Sequence, residues 1–476
     1  MEKQTASKKS TLFIAPDGSN VMFTFILVSS LFLLWGVCNG LIDTMDKHFQ
    51  EELHLSLAQS AWVQTAHYLG YFLMAIPAGW LATKLGYKKG IIAGLLIVAA
   101  GGFWFIPATR ISWMVQSGRV SPSLGFAAFL AGVCLIASGL TFLETIANPY
   151  TTALGDPKYA ATRINLAQSC NGIGWISGPI IAGTFFYSTD AAGRSTGSQT
   201  LYIPYVTIAA VVIVLAVIFA LAKVPDIKTE DDYHLDDSTG PQQSIWAHPH
   251  FVLAVAAQFL YVAAQAGIFS YFINYMTAEV PAIPAAWNVA MERVSAHAGL
   301  LSNFLSGWFV MAKDGHWAIS NKGAANIASV AFTCFLVGRF TGAGLLRKVA
   351  AWKALCVYAL INVVVTLMVF AKLGWISVAC VFASYFFMSI MFPTIFALGI
   401  HGLGSRAKKA SSFIVMAIMG GALLPKLMGY VADRFDMSRG FIVPSVCFLF
   451  VAFYGFAWPK LSKARTPEAI AVVAGD

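Results

Sequence analysis

Charged residues are scarce in this chain. Of its 476 residues, 11% are Asp, Glu, Lys or Arg and 58% are hydrophobic, whereas soluble domains carry about 25% charged residues. The sequence also lacks a CxxC pair, and its seven cysteines are scattered, which argues against a disulfide framework or a zinc site. No signal-peptide apolar core precedes residue 20, so we expect the N-terminus to stay in the cytoplasm. These absences disfavour a soluble enzyme, and we predict no metal and no cofactor.

Long apolar runs fill most of the sequence. A helix that crosses a bilayer needs about 20 apolar residues, and twelve such runs recur. We therefore predict an all-α integral membrane protein with 12 transmembrane helices, at about 22–46, 58–82, 88–107, 124–152, 164–187, 203–222, 249–277, 323–346, 352–371, 374–402, 409–432 and 440–459.

The net charge of +9 fits this topology and is not a sign of nucleic-acid binding. With the N-terminus inside, roughly two-thirds of the loop lysines and arginines fall on the cytoplasmic side, as the positive-inside rule requires. The same topology places both termini in the cytoplasm.

The chain divides into two similar halves. We predict an N-terminal six-helix bundle at 1–222, an acidic cytoplasmic linker at 223–248 and a C-terminal six-helix bundle at 249–476. Two motifs recur between the halves at offsets of 244 and 246 residues: Pro149–Gly155 as Pro393–Gly399, and Gly174, Pro179 and Gly183 as Gly420, Pro425 and Gly429. A duplicated unit of this kind places the site where the pseudo-symmetric bundles meet, near mid-membrane.

The stretch 278–322 in the second half is less regular. Its moderately apolar piece, Ala298 to Met311, is too short for a span. We predict an extracellular insertion, with an interfacial helix lying over the mouth of the protein.

Two acids lie within predicted spans, Asp43 and Glu144. A charged side chain at the bilayer centre costs at least ~2.5 kcal/mol, so such residues usually face a partner, a cavity or a substrate. Handling of protons or substrate is therefore expected of this pair. By contrast, Asp46, Lys47 and His48 fall at the outer end of the first span, where we expect them to be solvated.

Amides and aromatic side chains accompany the acids at helical spacing on four predicted helices. A single buried amide more often joins two helices than binds a ligand, but their concentration favours a neutral, polyhydroxylated ligand. A phosphorylated sugar would require paired cations, and the spans contain only Arg339, expected to anchor a loop or to extend its charge towards the membrane surface, and Lys426. The predicted substrate-binding residues are Trp35, Asn39, Asn148, Gln168, Asn171, Trp175, Tyr261 and Gln265.

Several motifs resemble a known family. The loop Gly79–Lys89 is similar to the signature loop of the major facilitator superfamily, although Thr83 stands where many members have aspartate. Further motifs resemble bacterial L-fucose/proton symporters and their glucose/galactose relatives: Asn39–Asp43, Leu143–Pro149, Asn165–Asn171, Phe392–Gly399 and Ser411–Met416.

This resemblance implies the major facilitator fold and an alternating-access sugar symporter of the bacterial inner membrane. It implies that Asp43 and Glu144 couple proton movement to sugar binding, and that Gln168 and Asn171 line the sugar path. Ile42 and Lys426 depart from the fucose-type pattern, so the identity of the sugar stays open.

Our hypothesis is a monomeric secondary transporter that imports a neutral monosaccharide, such as L-fucose, galactose or glucose, together with protons, within membrane lipid. A sodium-coupled sugar symporter would use the same acids. A proton/drug antiporter fits an amide-rich path less well. An embedded enzyme would need a nucleophile, a metal cluster or a phosphate clamp, which the sequence does not suggest.

Overall fold

The computed structural model describes residues 13–14, 19–52, 55–154, 160–187, 200–222, 244–297, 299, 302–312, 314–346, 349–401, 403 and 407–463. The described part is predominantly helical, as predicted. The helices of the first half are α1 Met22–Glu52, α2 Leu57–Ser60, α3 Trp62–Gln116, α4 Pro122–Ala153, α5 Ala160–Phe185 and α6 Tyr202–Leu221. Two predicted spans lie within α3, on either side of Gly86, whose φ of 78° interrupts the helical geometry.

The second half begins with a short 3-10 helix, Ile245–Ala247. Its other elements are α7 Pro249–Ser270, α8 Phe272–Ala278, α9 Ala285–His297, α10 Ser302–Leu305, β1 Phe309–Met311, β2 Trp317–Ile319, α11 Asn321–Leu345, α12 Ala351–Phe370, α13 Trp375–Met388, α14 Met391–Ile400, α15 Ala407–Met416, the 3-10 helix Ala417–Met419, α16 Gly420–Arg434, α17 Met437–Gly440 and α18 Ile442–Lys463.

Apolar length supports the predicted spans. Within the described ranges, 10 helical segments are long and apolar enough to cross a membrane. The other two predicted spans, 58–82 and 164–187, are also helical, in the first part of α3 and in α5. Most of the predicted linker, 223–243, lies outside the described residues.

Each half packs around its own apolar core. The core of the first half extends from Val21 to Phe219 and includes residues of all its long helices. The main core of the second half extends from Ala254 to Tyr454 and also takes in Ala61. Between these cores the facing helices meet, and Asp43, one of the predicted site residues, lies there.

The repeated glycines have the same packing role in both halves. A methyl group at Gly174 of α5 would collide with the carbonyl oxygen of Leu33 in α1, and one at Gly420 would collide with that of Phe259 in α7. Small residues let two helices approach this closely. The duplicated motif therefore marks equivalent backbone contacts, between α5 and α1 and between α16 and α7.

The insertion has a different structure from the one expected. Residues Phe309–Met311 pair antiparallel with Trp317–Ile319, so the predicted interfacial helix is wrong over this segment. The turn between the strands contains Gly315 at φ 84°, a conformation that glycine adopts without steric cost. A short apolar run that ends at such a turn fits a hairpin better than a helix.

The two bundles are joined at one end, which we call the closed end. The backbone N–H groups of Leu57 and Ala58 donate to the carboxylate of Asp433, at 2.8 and 2.9 Å. The Tyr271 hydroxyl donates to the Leu57 carbonyl at 2.7 Å, and the Asn274 amide donates to Gln50 at 2.8 Å. These contacts connect the α1–α2 region of the first bundle to α7, α8 and α16 of the second.

Candidate functional site

Asp43 lies on α1 at the boundary between the bundles. Its side chain is 6% exposed, and its Oδ1 accepts a hydrogen bond of 2.9 Å from the Gln64 amide of α3. Its Oδ2 is buried and has no hydrogen-bond partner among the described residues. Tyr385, in α13 of the second bundle, is close enough to interact with its charge. Asp43 is therefore bonded to its own bundle through Gln64 and lies near the second bundle at Tyr385.

Glu144 is half-buried on α4 and interacts with two tyrosines of α3, Tyr68 and Tyr71. The Trp35 indole of α1 donates to the Tyr71 hydroxyl at 2.6 Å. His67 packs against both tyrosine rings, with centroids 5.0 Å apart in each case. Polar and aromatic side chains of α1 and α3 thus form a connected group of contacts near Glu144 of α4.

Two predicted ligand residues use their polar groups for helix packing in this conformation. The Asn171 amide donates to the Phe32 carbonyl at 3.3 Å, and the Tyr261 hydroxyl donates to the Met388 carbonyl at 2.9 Å. Both side chains are buried. These bonds connect α5 to α1 and α7 to α13. To contact a ligand as well, each side chain would have to use the part of its polar group that is not engaged in this bond.

Two other predicted residues, Asn39 and Gln265, have polar groups without a hydrogen bond to another described residue. The Oδ1 atom of Asn39 is buried and without a hydrogen-bond partner in the described part of the chain. Gln265 is half-buried, and no hydrogen bond of its amide to another described residue is found. Gln168 is also half-buried. Asn148 lies on α4, but its side chain falls outside the described part.

Trp175 belongs to an aromatic layer that crosses from one bundle to the other. Its ring lies 5.5 Å from Phe269 of α7 and 4.9 Å from Phe332 of α11, measured between centroids. Phe269 in turn stacks on Tyr385 at 4.6 Å. Tyr385 is close enough to interact with the charge of Asp43, so the layer connects Trp175 to the surroundings of this acid.

The expectation that Asp46 and His48 are solvated is wrong. Asp46 is 1% exposed and His48 is 3% exposed. The reason is that α1 continues to Glu52 and the second bundle covers its last turns. His48 packs between Phe186 and Tyr187, at 5.8 and 6.3 Å, while Lys47 forms an ion pair with Glu51 at 3.2 Å.

The two cations within the predicted spans, Arg339 and Lys426, both contact neighbouring helices. Arg339 is half-buried, its Nε donates to the Ser389 carbonyl at 3.4 Å, and its guanidinium lies 5.0 Å from the Phe335 ring. It therefore contacts the bundle near Tyr261 rather than anchoring a loop. The Lys426 ammonium lies over the Trp62 ring, 2.9 Å from its centroid, a cation–π contact between α16 and α3.

Sequence reasoning missed Gln64, which donates to Asp43, and Tyr385. A signal for Gln64 was present, because Gln64, Tyr68 and Tyr71 are spaced by four and three residues and so share one helix face. No comparable pattern marks Tyr385, whose proximity to Asp43 arises from packing between bundles.

Buried acids among neutral polar groups can bind and release protons without covalent chemistry. In the described ranges, no group of three or more His, Cys, Asp or Glu side chains could hold a metal ion. Two helical bundles with such a site at their boundary define a membrane transporter that works by changing conformation.

Comparison with known proteins supports the assignment to membrane transporters. Residues 19–372 match the family model described as Major Facilitator Superfamily, and the chain belongs to this family. It is 32% identical to the glucose/galactose transporter of Brucella abortus, over 93% of this chain and 95% of the relative. It is 33% identical to the L-fucose-proton symporter of Escherichia coli, over 94% and 95% respectively.

A crystal structure of the major facilitator transporter FucP in the outward conformation is also similar, with a TM-score of 0.60 and 33% identity over 92% of this chain and 99% of that one. The predicted family, the major facilitator fold and the assignment to transporters rather than enzymes are confirmed.

Proposed function

We propose that this protein imports a neutral monosaccharide, such as L-fucose, galactose or glucose, together with protons. The observation that carries the proposal is the placement of two acids among amides, tyrosines and an indole: Asp43 accepts a hydrogen bond from Gln64 where the bundles meet, and Glu144 lies near Tyr68 and Tyr71 of α3. The names of its relatives, a glucose/galactose transporter and an L-fucose-proton symporter, support the substrate class.

The proposed coupling follows from the cost of burying charge. An ionised carboxylate in a low-dielectric site is unfavourable unless it is paired and hydrogen-bonded. Protonation of Asp43 or Glu144 from the outside would remove that charge and favour sugar binding and closure. Opening to the cytoplasm would release sugar and proton, and the empty carrier would then return.

The orientation and cellular location are part of this proposal. We place the protein in the bacterial inner membrane with both termini in the cytoplasm, acting as a monomer. The C-terminal end of α1, and with it the closed end, then faces outwards, and this conformation is closed to the outside.

The available energy suffices for accumulation. A membrane potential of 100 mV supplies about 2.3 kcal/mol per elementary charge, which corresponds to about fiftyfold accumulation of an uncharged solute. One proton per sugar therefore meets the thermodynamic requirement.

The proposal can be tested in liposomes that contain the purified protein. Uptake of labelled L-fucose, D-galactose, D-glucose and N-acetylglucosamine would be measured with a pH gradient, with a sodium gradient and with neither. We expect a pH gradient to drive accumulation of at least one of the first three sugars, with empty liposomes as the control. Accumulation driven by sodium alone, or transport of none of these sugars, would contradict the proposal.

A further inference from the structure

A third carboxyl lies between the acids of the site and the closed end. Asp46 is one helical turn beyond Asp43 on α1 and is 1% exposed. Neither of its carboxylate oxygens has a hydrogen-bond partner among the described residues. Nothing in the motifs that mark the family, or in the proposed coupling by Asp43 and Glu144, gives this residue a role.

The atoms around Asp46 also lack partners. The Gln64 side chain from α3 and the Ser270 hydroxyl from the end of α7 lie close enough to act on the Asp46 carboxylate, but neither forms a hydrogen bond of ordinary geometry with it. Gln64 Oε1, Ser270 Oγ and Asp43 Oδ2 are all buried and unpaired within the described residues. Two of these three atoms are acceptors only, as an ionised Asp46 would be.

Among the described residues, no cationic side chain is found to interact with Asp46. The titratable side chains that face Asp46 are Asp43 on α1, Tyr68 on α3, Tyr187 after α5 and Tyr271 before α8. None of these side-chain types is cationic at any pH. The neighbouring Lys47 is paired with Glu51 instead.

In this arrangement an ionised Asp46 would therefore be buried without a counter-charge and without a hydrogen bond from a described residue, which is strongly unfavourable. A neutral Asp46 changes this balance, because its O–H becomes a donor in the midst of unpaired acceptors. One added proton thus removes a buried charge and supplies the hydrogen bond that Gln64 Oε1 or Ser270 Oγ lacks.

We propose that Asp46 is a proton-binding group in addition to Asp43 and Glu144, and that it must be protonated before the two bundles can close at this end. Ser270 and Tyr271 belong to the second bundle, so separation of the bundles exposes Asp46 to water, where it loses its proton. The acid thereby links protonation to conformation. This inference rests on the alternating-access part of the proposed function, but not on the identity of the sugar.

The test measures the closed end directly, without sugar. Spin labels at Ser117→Cys and Leu373→Cys, both exposed, report the distance between the bundles in reconstituted full-length protein whose native cysteines are replaced. In the wild-type background we expect the open form to increase from about pH 5 to about pH 9, the range in which buried carboxyls titrate. Linkage to one proton changes the closed-to-open ratio by up to tenfold per pH unit.

The decisive variant is Asp46→Asn, which is neutral and keeps a donor. We expect it to stay closed throughout this pH range, and Asp46→Leu serves in its place if the amide variant does not fold. The matched control is Asp433→Asn, which weakens closure at every pH but keeps the pH dependence. An Asp46→Asn protein with the wild-type pH dependence would overturn the inference, and so would a closed end that responds to sodium instead of pH. Neither result would by itself remove sugar uptake, which tests the proposed function separately.

Discussion

Near the candidate site, the polar groups of the first bundle include three acids, Asp43, Asp46 and Glu144, whereas those of the second bundle include Tyr261, Gln265 and the cation Arg339. The acid that the second bundle contributes to the closed end, Asp433, instead accepts hydrogen bonds from backbone N–H groups. The backbone contacts of the two halves are nevertheless equivalent, since Gly174 and Gly420 play the same packing part. Duplication has thus kept the helix packing and let the side chains diverge. We infer that proton coupling belongs to the first half, and that the second half supplies neutral sugar contacts and the closing surface.

The strongest test of this division removes the acids. We expect Glu144→Gln and Asp43→Asn each to abolish concentrative uptake, from about fiftyfold accumulation at 100 mV to equality across the membrane, because an amide cannot bind and release a proton as a carboxyl does. Exchange of labelled for unlabelled sugar without a gradient should persist, since it needs no net proton movement. Uptake against a gradient by both variants would remove the acids from the mechanism.

Larger side chains at the repeated glycines should destabilise the protein to a similar extent in the two halves. We expect Gly174→Val and Gly420→Val to reduce thermal stability in detergent strongly, because each added side chain meets a backbone carbonyl that cannot move aside. Overpacking costs typically about 1–3 kcal/mol and occasionally more. Gly344→Val is the control, since an added methyl there meets nothing within 4 Å. If only one of the two variants is destabilised, the packing equivalence of the halves is incorrect.

The glycines also show what the sequence could predict. Long apolar runs predicted the helices, and two repeated motifs predicted the similarity of the two halves. Both features can be recognised within short segments of the sequence. The burial of Asp46 could not be predicted, since it depends on Ser270 and Tyr271, more than 220 residues further along the chain. Likewise, the sequence identified Tyr261 as polar and inward-facing, but not that its hydroxyl bonds to the Met388 carbonyl.

A smaller effect is expected from the sugar-contact side of the second bundle. Gln265→Ala removes a half-buried amide that makes no hydrogen bond to the described residues. The loss of one hydrogen bond to sugar, about 0.5–1.5 kcal/mol, should raise the half-saturating sugar concentration by up to about tenfold. The dependence of uptake on the pH gradient should not change. A loss of proton coupling in this variant would contradict the assignment of coupling to the first half.

The smallest expected difference concerns ion pairs outside the membrane. In the second half, Lys372 lies between two acids, 2.9 Å from Asp436 and 3.3 Å from Glu279, whereas Lys47 of the first half pairs with Glu51 alone. The hydrogen bond to Asp436, with that to Glu279, raises the pKa of Lys372. A raised pKa gives stabilisation that is complete below the unfolded-state value of about 10.4 and is lost as the pH rises through the folded-state value.

We therefore expect Lys372→Asn to lower the free energy of unfolding by at most about 1 kcal/mol at neutral pH, as is usual for exposed pairs. Asparagine is suitable because it tolerates the φ of 57° at this position. Thermal unfolding of the variant and the wild type at about pH 8 and about pH 11 measures the difference, which should shrink at the higher pH as lysine loses its charge. Lys47→Asn should have a smaller effect, because it removes an ion pair with one acid instead of two. Equal effects would mean that the second acid adds nothing, and a difference that persists at high pH would show that Lys372 acts through packing and not through charge.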